Sequence, residues 1–175
     1  MQWRGYTVQC PLVLGASVSE AEVLGASVWL WMHSQKHRDT PLSALPAVLL
    51  PAIKAQQYVL VSRNDQPVFF MSWAWFDEDA EHRYLTQHDL LRQEADWCSG
   101  DRMWVMDFVA PFGDTPAMSE LVMTELFAHH CFCSLWHRGE ERGLRIKRFY
   151  GRSVPRKERA AWRDRYTPAA SVKVC

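Results

Sequence analysis

Three side chains in this sequence could together move a proton: Ser34, His37 and Asp107. Imidazole has an ordinary pKa near neutrality, which suits a histidine to general-base work. A carboxylate facing it would hold the ring in one tautomer and stabilise its cation, and a nearby serine could attack or position. Ser34 and His37 stand three residues apart, on one face of any helix that extends that far. Asp107 comes from the apolar run between the turn Ser99-Gly100-Asp101 and Pro111 with Gly113-Asp114, the pattern of a buried strand between two loops. Alternation there predicts Asp107 on the face of Met103, Val105 and Val109, with Trp104, Met106 and Phe108 on the other. A carboxylate on an apolar face is costly without a partner. His37 is one candidate; Arg102 or a backbone turn is another, and residue types alone leave the choice open.

The elements that would position these groups can be read from periodicity. Leu24, Val28 and Trp31 fall at i, i+4 and i+7 in a helix over Glu20 to Met32, which would place His37 just beyond its end. A second helical pattern from Pro41 is broken by Pro46 and Pro51. Gln57 to Ser62 reads as a strand, Arg63-Asn64-Asp65-Gln66 as a hairpin turn and Pro67 to Phe76 as the returning strand. The polar run 77–97 reads as a helix anchored by Leu85, Leu90, Leu91 and Trp97. Met118 to Phe127 reads as an amphipathic helix, Cys131 to Trp136 and Leu144 to Tyr150 as strands, and Pro155 to Tyr166 as a basic helix. Alternating strands and helices around a sheet imply an α/β or α+β fold. With 175 residues, 48% of them hydrophobic, one domain is expected over 21–166. Residues 1–20 read as a variable leader, in which Val13 to Val18 recurs as Val23 to Val28, and 167–175 as a tail.

The formal net charge is zero but polarised. Residues 1–137 carry 8 Lys/Arg against 16 Asp/Glu, and residues 138–165 carry 11 against 4. A basic C-terminal segment on an acidic body suggests an acidic partner. The aromatics hardly interleave with it beyond Phe149, Tyr150 and Trp162, which argues against a nucleic-acid module. The five cysteines lack CxxC spacing, and Cys131 and Cys133 with His129, His130 and His137 complete no recognised zinc pattern; no metal is expected, and reduced thiols fit a cytoplasmic protein. There is no signal-peptide pattern and no run long enough for a transmembrane segment.

Leu24-Gly25, Trp29-Leu30-Trp31, Ser34-x-x-His37-Arg38, Leu50-Pro51-Ala52-Ile53, Gln57-Tyr58-Val59-Leu60, Ser72-Trp73-Ala74 and the stretch Ser99 to Asp114 resemble, in order and spacing, the toxin-activating lysine acyltransferases. The likeness is close over 23–114 and looser through Arg145 to Arg152. It implies a GNAT-like fold, a mixed central sheet flanked by helices, that moves a fatty acyl chain from acyl carrier protein (ACP) to the side-chain amine of an internal lysine in an RTX-type protoxin. It also implies His37 as the essential histidine, Asp107 as its acidic partner and Ser34 as the serine of a Ser-Pro-x-His motif. No bound cofactor is implied, and a homodimer is plausible. The chain departs from the pattern at Gln35 (usually Pro), Thr40 (Trp), Met71 (Cys) and Phe108 (Trp). A catalytically altered homologue that binds acyl-ACP or toxin is the alternative. Lys36, Arg38 and Arg102 are candidate docking residues for an acidic ACP, and Trp31 and Trp73 candidate walls of an acyl groove, beside Trp29 and Trp75. A conventional acetyl-coenzyme A acetyltransferase is disfavoured, because no glycine-rich turn precedes a helix after the central strand.

Overall fold

The computed structural model describes residues 1–15, 19–87, 93–138, 141–166, 168 and 173–174. One sheet runs through the chain in sequence order. Its strands are β1 (Gln2–Trp3), β2 (Tyr6–Gln9), β3 (Tyr58–Arg63), β4 (Gln66–Phe76), β5 (Arg102–Val109), β6 (Cys131–Arg138), β7 (Glu141–Tyr150) and β8 (Lys173–Val174). Neighbours are antiparallel except β5 with β6 and β7 with β8, which are parallel. The helices are α1 (Pro11–Leu14), α2 (Glu20–Met32), α3 (Leu45–Val48), α4 (Leu50–Lys54), α5 (Glu78–Thr86), α6 (Thr115–Leu121) and α7 (Arg156–Arg165). This is the expected mixed sheet flanked by helices, consistent with a GNAT-like arrangement. No described helix is long and apolar enough to cross a membrane.

Near the start of the chain, Val8 pairs with Val61 across β2 and β3, and Val8 and Cys10 are buried in the core. The four-residue strand β2 is too short for its alternation to stand out in sequence. The proline breaks behave as expected: Pro46 and Pro51 sit in the first turns of α3 and α4, where a missing N–H costs nothing. The β3–β4 turn has Asn64 at φ 50° and Asp65 at φ 62°, the left-handed pair of a two-residue hairpin loop. The polar run 77–97 divides into α5 and a 3₁₀ turn at Glu94–Trp97; Leu90 and Leu91 lie outside the described residues.

Two apolar layers sandwich the sheet. On one side α6 and the π turn Val122–Leu126 cover Val61, Phe69, Met71, Trp73, Met103 and Val105. On the other, α2 and α4 cover Tyr58, Leu60, Phe70 and Val109, while α5 covers Ala74, Phe76 and Trp104. The stripe α2 buries is Val23, Ser27, Leu30 and Trp31, with Leu24 and Val28 only half-buried. It is one position off the expected face, because the Ser27 hydroxyl is satisfied by donating to the Val23 carbonyl at 2.7 Å and so can go inward. Burial of a side chain such as Leu30 or Phe70 contributes about 1.5–3 kcal/mol, which fixes α2 firmly on the sheet.

Candidate active site

β5 is not a regular strand. Ser72 stands opposite Asp107, yet the next residue of β4, Trp73, stands opposite Val105, so Met106 is an extra residue, a β-bulge. The bulge resets the alternation. Met103 and Val105 face α6, whereas Val109 packs under α2, Asp107 meets His37 just beyond that helix, and Trp104 packs under α5 on the same side of the sheet. The expected sharing of a face by Asp107, Met103 and Val105 is thereby corrected. A uniform two-residue period has no means of placing an inserted residue. The ladder from β5 to β6 also stops short, pairing only Trp104 and Val105 among the described residues, so Asp107 lies beyond its end. Two residues before β5, Gly100 passes close against the end of β4: a Cβ there would meet backbone atoms of Phe76 and Asp77 at 2.6 Å.

Facing Asp107, α2 ends at Met32 and the chain turns twice. The Ser34 carbonyl accepts from the amides of His37 and Arg38 at 3.0 and 2.9 Å, which folds His37 back toward the sheet. His37 Nε2 lies 2.8 Å from Asp107 Oδ1, and His37 Nδ1 lies 2.8 Å from Ser34 Oγ. A carboxylate only accepts, so Nε2 carries the ring proton and donates it, and Nδ1 accepts from the Ser34 hydroxyl. His37 and Asp107 are 8% and 9% exposed, while Ser34 is half-buried. The hydrogen-bonded chain therefore reaches the surface at the serine. The Trp31 ring stacks on the imidazole at 4.8 Å and 27°, and its π face favours a cation there. Gln35 is exposed on this turn, and the three-residue chain is complete with glutamine at that position.

The other expected site residues divide. Lys36 and Arg38 are exposed on the same turn as His37, with Arg38 Nε 3.8 Å from Asp39. Arg102 is at the opposite end of β5, held by the buried carboxylate of Glu81 at 2.5 Å and by Glu78 at 3.3 Å, so it is not placed to serve this site. Trp73 faces α6, edge-on to Phe127 and 1% exposed: a core residue, not a groove wall. Sequence reasoning missed His33 and Phe112. The rings of Trp29, His33 and Phe112 lie mutually within 4.3 to 5.4 Å at the rim beside Ser34. The four-residue spacing of Trp29 and His33 was the available signal. Among the described residues no three His, Cys, Asp or Glu side chains converge as a metal site.

A base with its orienting carboxylate and an accessible hydroxyl is an arrangement that acyl transfer can use. A protein-lysine myristoyltransferase of Kingella kingae is 38% identical over 134 residues, 77% of this chain and 79% of that protein. An RTX-I toxin-activating lysine-acyltransferase of Actinobacillus pleuropneumoniae is 38% identical over 144 residues, 82% and 83% of the two chains. A protein-lysine palmitoyltransferase of Bordetella bronchiseptica is 34% identical over 161 residues, 91% and 86%. The sequence model of the RTX toxin acyltransferase family matches residues 16–150, which include all three members of the hydrogen-bonded chain, and the protein belongs to that family.

Proposed function

We propose that the protein transfers a fatty acyl chain from acyl-ACP to the ε-amine of an internal lysine in an RTX-type protoxin, in the cytoplasm. The observation that carries this reading is the chain Ser34–His37–Asp107, buried at the ring and the carboxylate and most open at its serine end. The names of the relatives, which acylate lysines and activate RTX toxins, supply the substrate class. Free thiols at Cys10, Cys98, Cys131 and Cys133 suit a reducing compartment.

A lysine amine has an ordinary pKa of about 10.4 and arrives mostly protonated. One proton leaves to solvent, and the neutral amine then attacks the thioester carbonyl. As the C–N bond forms, the amine passes a second proton to Ser34 Oγ while Ser34 passes its own to His37 Nδ1. Asp107 and the Trp31 face stabilise the resulting imidazolium. The C–S bond breaks, and the imidazolium returns its proton to Ser34 Oγ as Ser34 passes its own to the departing thiolate. Such a base contributes on the order of 10²–10⁴ in rate. Transfer is thus direct and Ser34 is a relay. The same 2.8 Å contact also activates Ser34 as a nucleophile, so an acyl-serine route is the second reading. Lys36 and Arg38, exposed beside the site, would receive the acidic ACP.

Mixing the protein with acyl-ACP and a lysine-bearing protoxin fragment tests this by mass spectrometry. The fragment should gain one acyl mass on a lysine side chain. A fragment that keeps its mass would refute the reading. Omitting the fragment separates the routes: direct transfer leaves the enzyme's mass unchanged, whereas the second reading adds an acyl group to the Ser34 peptide.

A further inference from the structure

An open, predominantly apolar groove of about 570 Å³ lies between α2 and the β3–β4 hairpin, floored by Gly25, Ala26 and Trp29 and walled by Asn64 to Pro67. A second hollow of about 260 Å³ shares Ala26, Asp65 and Pro67 with it and continues past Glu22 and Leu60. Neither hollow includes Ser34, His37 or Asp107. We propose that this groove holds the far end of the transferred acyl chain and that Gly25 sets the chain length accepted.

The inference rests on the acyltransferase reading and on three observations. The first is continuity. Trp29 floors the groove and also packs on His33 and Phe112, and His33 immediately precedes Ser34. Gly25, Trp29 and His33 form one stripe along α2, because residues four apart share a helix face. From Gly25 to the end of α2 at Met32 the helical rise amounts to about 10 Å, so the groove floor lies well away from Ser34, out where the far end of an acyl chain would be. The second is chemistry. A thioester carbonyl at Ser34 must lay its tail along some surface, and the Trp29, His33 and Phe112 rings lead from the serine's neighbour His33 to the near end of this trough at Trp29.

The third is Gly25 itself. Glycine inside a helix costs about 0.5–1 kcal/mol relative to alanine. Nothing in the fold requires it here: a Cβ would meet no atom within 4 Å, and Gly25 is not among the glycines at positive φ. What its missing side chain provides is free space on the floor of the groove. A side chain at that point would project into the path of the tail from a Cβ that itself touches nothing.

The test is Gly25→Leu, with Gly25→Ala as a control that helix propensity favours. Each is assayed for transfer from ACP carrying saturated chains from medium length through myristoyl to palmitoyl. In Gly25→Leu the ratio of long-chain to short-chain transfer should fall about 10-fold or more, the scale on which a pocket discriminates single methylenes; Gly25→Ala should shift it less in the same direction. An unchanged ratio in both variants overturns the proposal and leaves the acyltransferase reading standing. A second measurement needs no turnover: acyl-ACP bearing a photoreactive group at the chain terminus should crosslink to residues 25–29 or 64–67. Crosslinks confined elsewhere overturn the groove assignment. Failure of the wild type to acylate any protoxin lysine counts instead against the acyltransferase reading, and the crosslink still reports on the groove.

Discussion

Two buried carboxylates face the same side of the sheet, and their surroundings give them opposite roles. Glu81 on α5 is completely buried and accepts from Trp104 Nε1 at 2.7 Å, from Arg102 at 2.5 Å and from the Tyr166 hydroxyl. Arg102 also lies over the Tyr166 ring. That cluster ties α5, β5 and the end of α7 together, and its polar atoms are occupied from several elements. Asp107, five residues along β5, holds an imidazole whose other nitrogen meets a half-exposed hydroxyl. A carboxylate saturated by fixed donors is a strut. One that reaches the surface through a titratable ring and a hydroxyl can pass protons.

The largest effect that would break this contrast is expected at Asp107. Asp107→Asn keeps the shape and an acceptor, but its amide also offers donors that favour the wrong imidazole tautomer. Transfer should fall about 10²–10⁴-fold while the melting temperature barely changes. A rate within a few-fold of wild type would make Asp107 a second strut and remove His37 from the chemistry.

Next in size is the reverse substitution, Glu81→Gln. It leaves the Arg102 guanidinium, 21% exposed, without its closest countercharge. Breaking a buried pair in this way costs about 3 kcal/mol, or roughly 6–12 °C in melting temperature at this chain length. The transfer rate per folded molecule should stay at the wild-type value. Lost activity with unchanged melting would reverse the assignment of the two carboxylates.

The contrast also marks what was legible in the sequence. His37 and Asp107 could be paired from their types and from the ordered family blocks, and α2 and the β3–β4 hairpin from periodicity and turn chemistry. Arg102 could not be assigned, because its distance in sequence from Glu81 says nothing of their 2.5 Å contact in space. Trp73 and Trp31 are alike in composition, yet only the folded sheet shows that one is turned to α6 and the other stacks on His37. The inserted Met106 was invisible for a deeper reason. A bulge is defined by what lies opposite it on the neighbouring strand, and a single strand's pattern carries no record of its partner's register.

The smallest effect sharpens the comparison through pH. Cys133 lies in the same cluster as Trp104 and Tyr166, and burial pushes its thiol from 9.0 up to about 12; burial first, then Cys133 and Glu81, push the Tyr166 phenol up as well. A group whose pKa is raised on folding stabilises the native state fully below its unfolded value, and that contribution disappears as pH climbs toward the folded value. The strut should therefore weaken from about pH 9 upward, with Cys133 alone costing about 1 kcal/mol at pH 10. Cys10, which burial pushes from 9.0 up to about 11, adds a similar share from the other side of the sheet. Urea titrations at pH 8 and 10 in wild type and Cys133→Ala isolate the difference. The variant starts less stable through its cavity but should lose about 1 kcal/mol less between the two pH values. Equal losses would show that the thiol ionises as readily in the native protein as in the unfolded chain, and that the cluster around Glu81 admits water as freely as the serine end of the active site does.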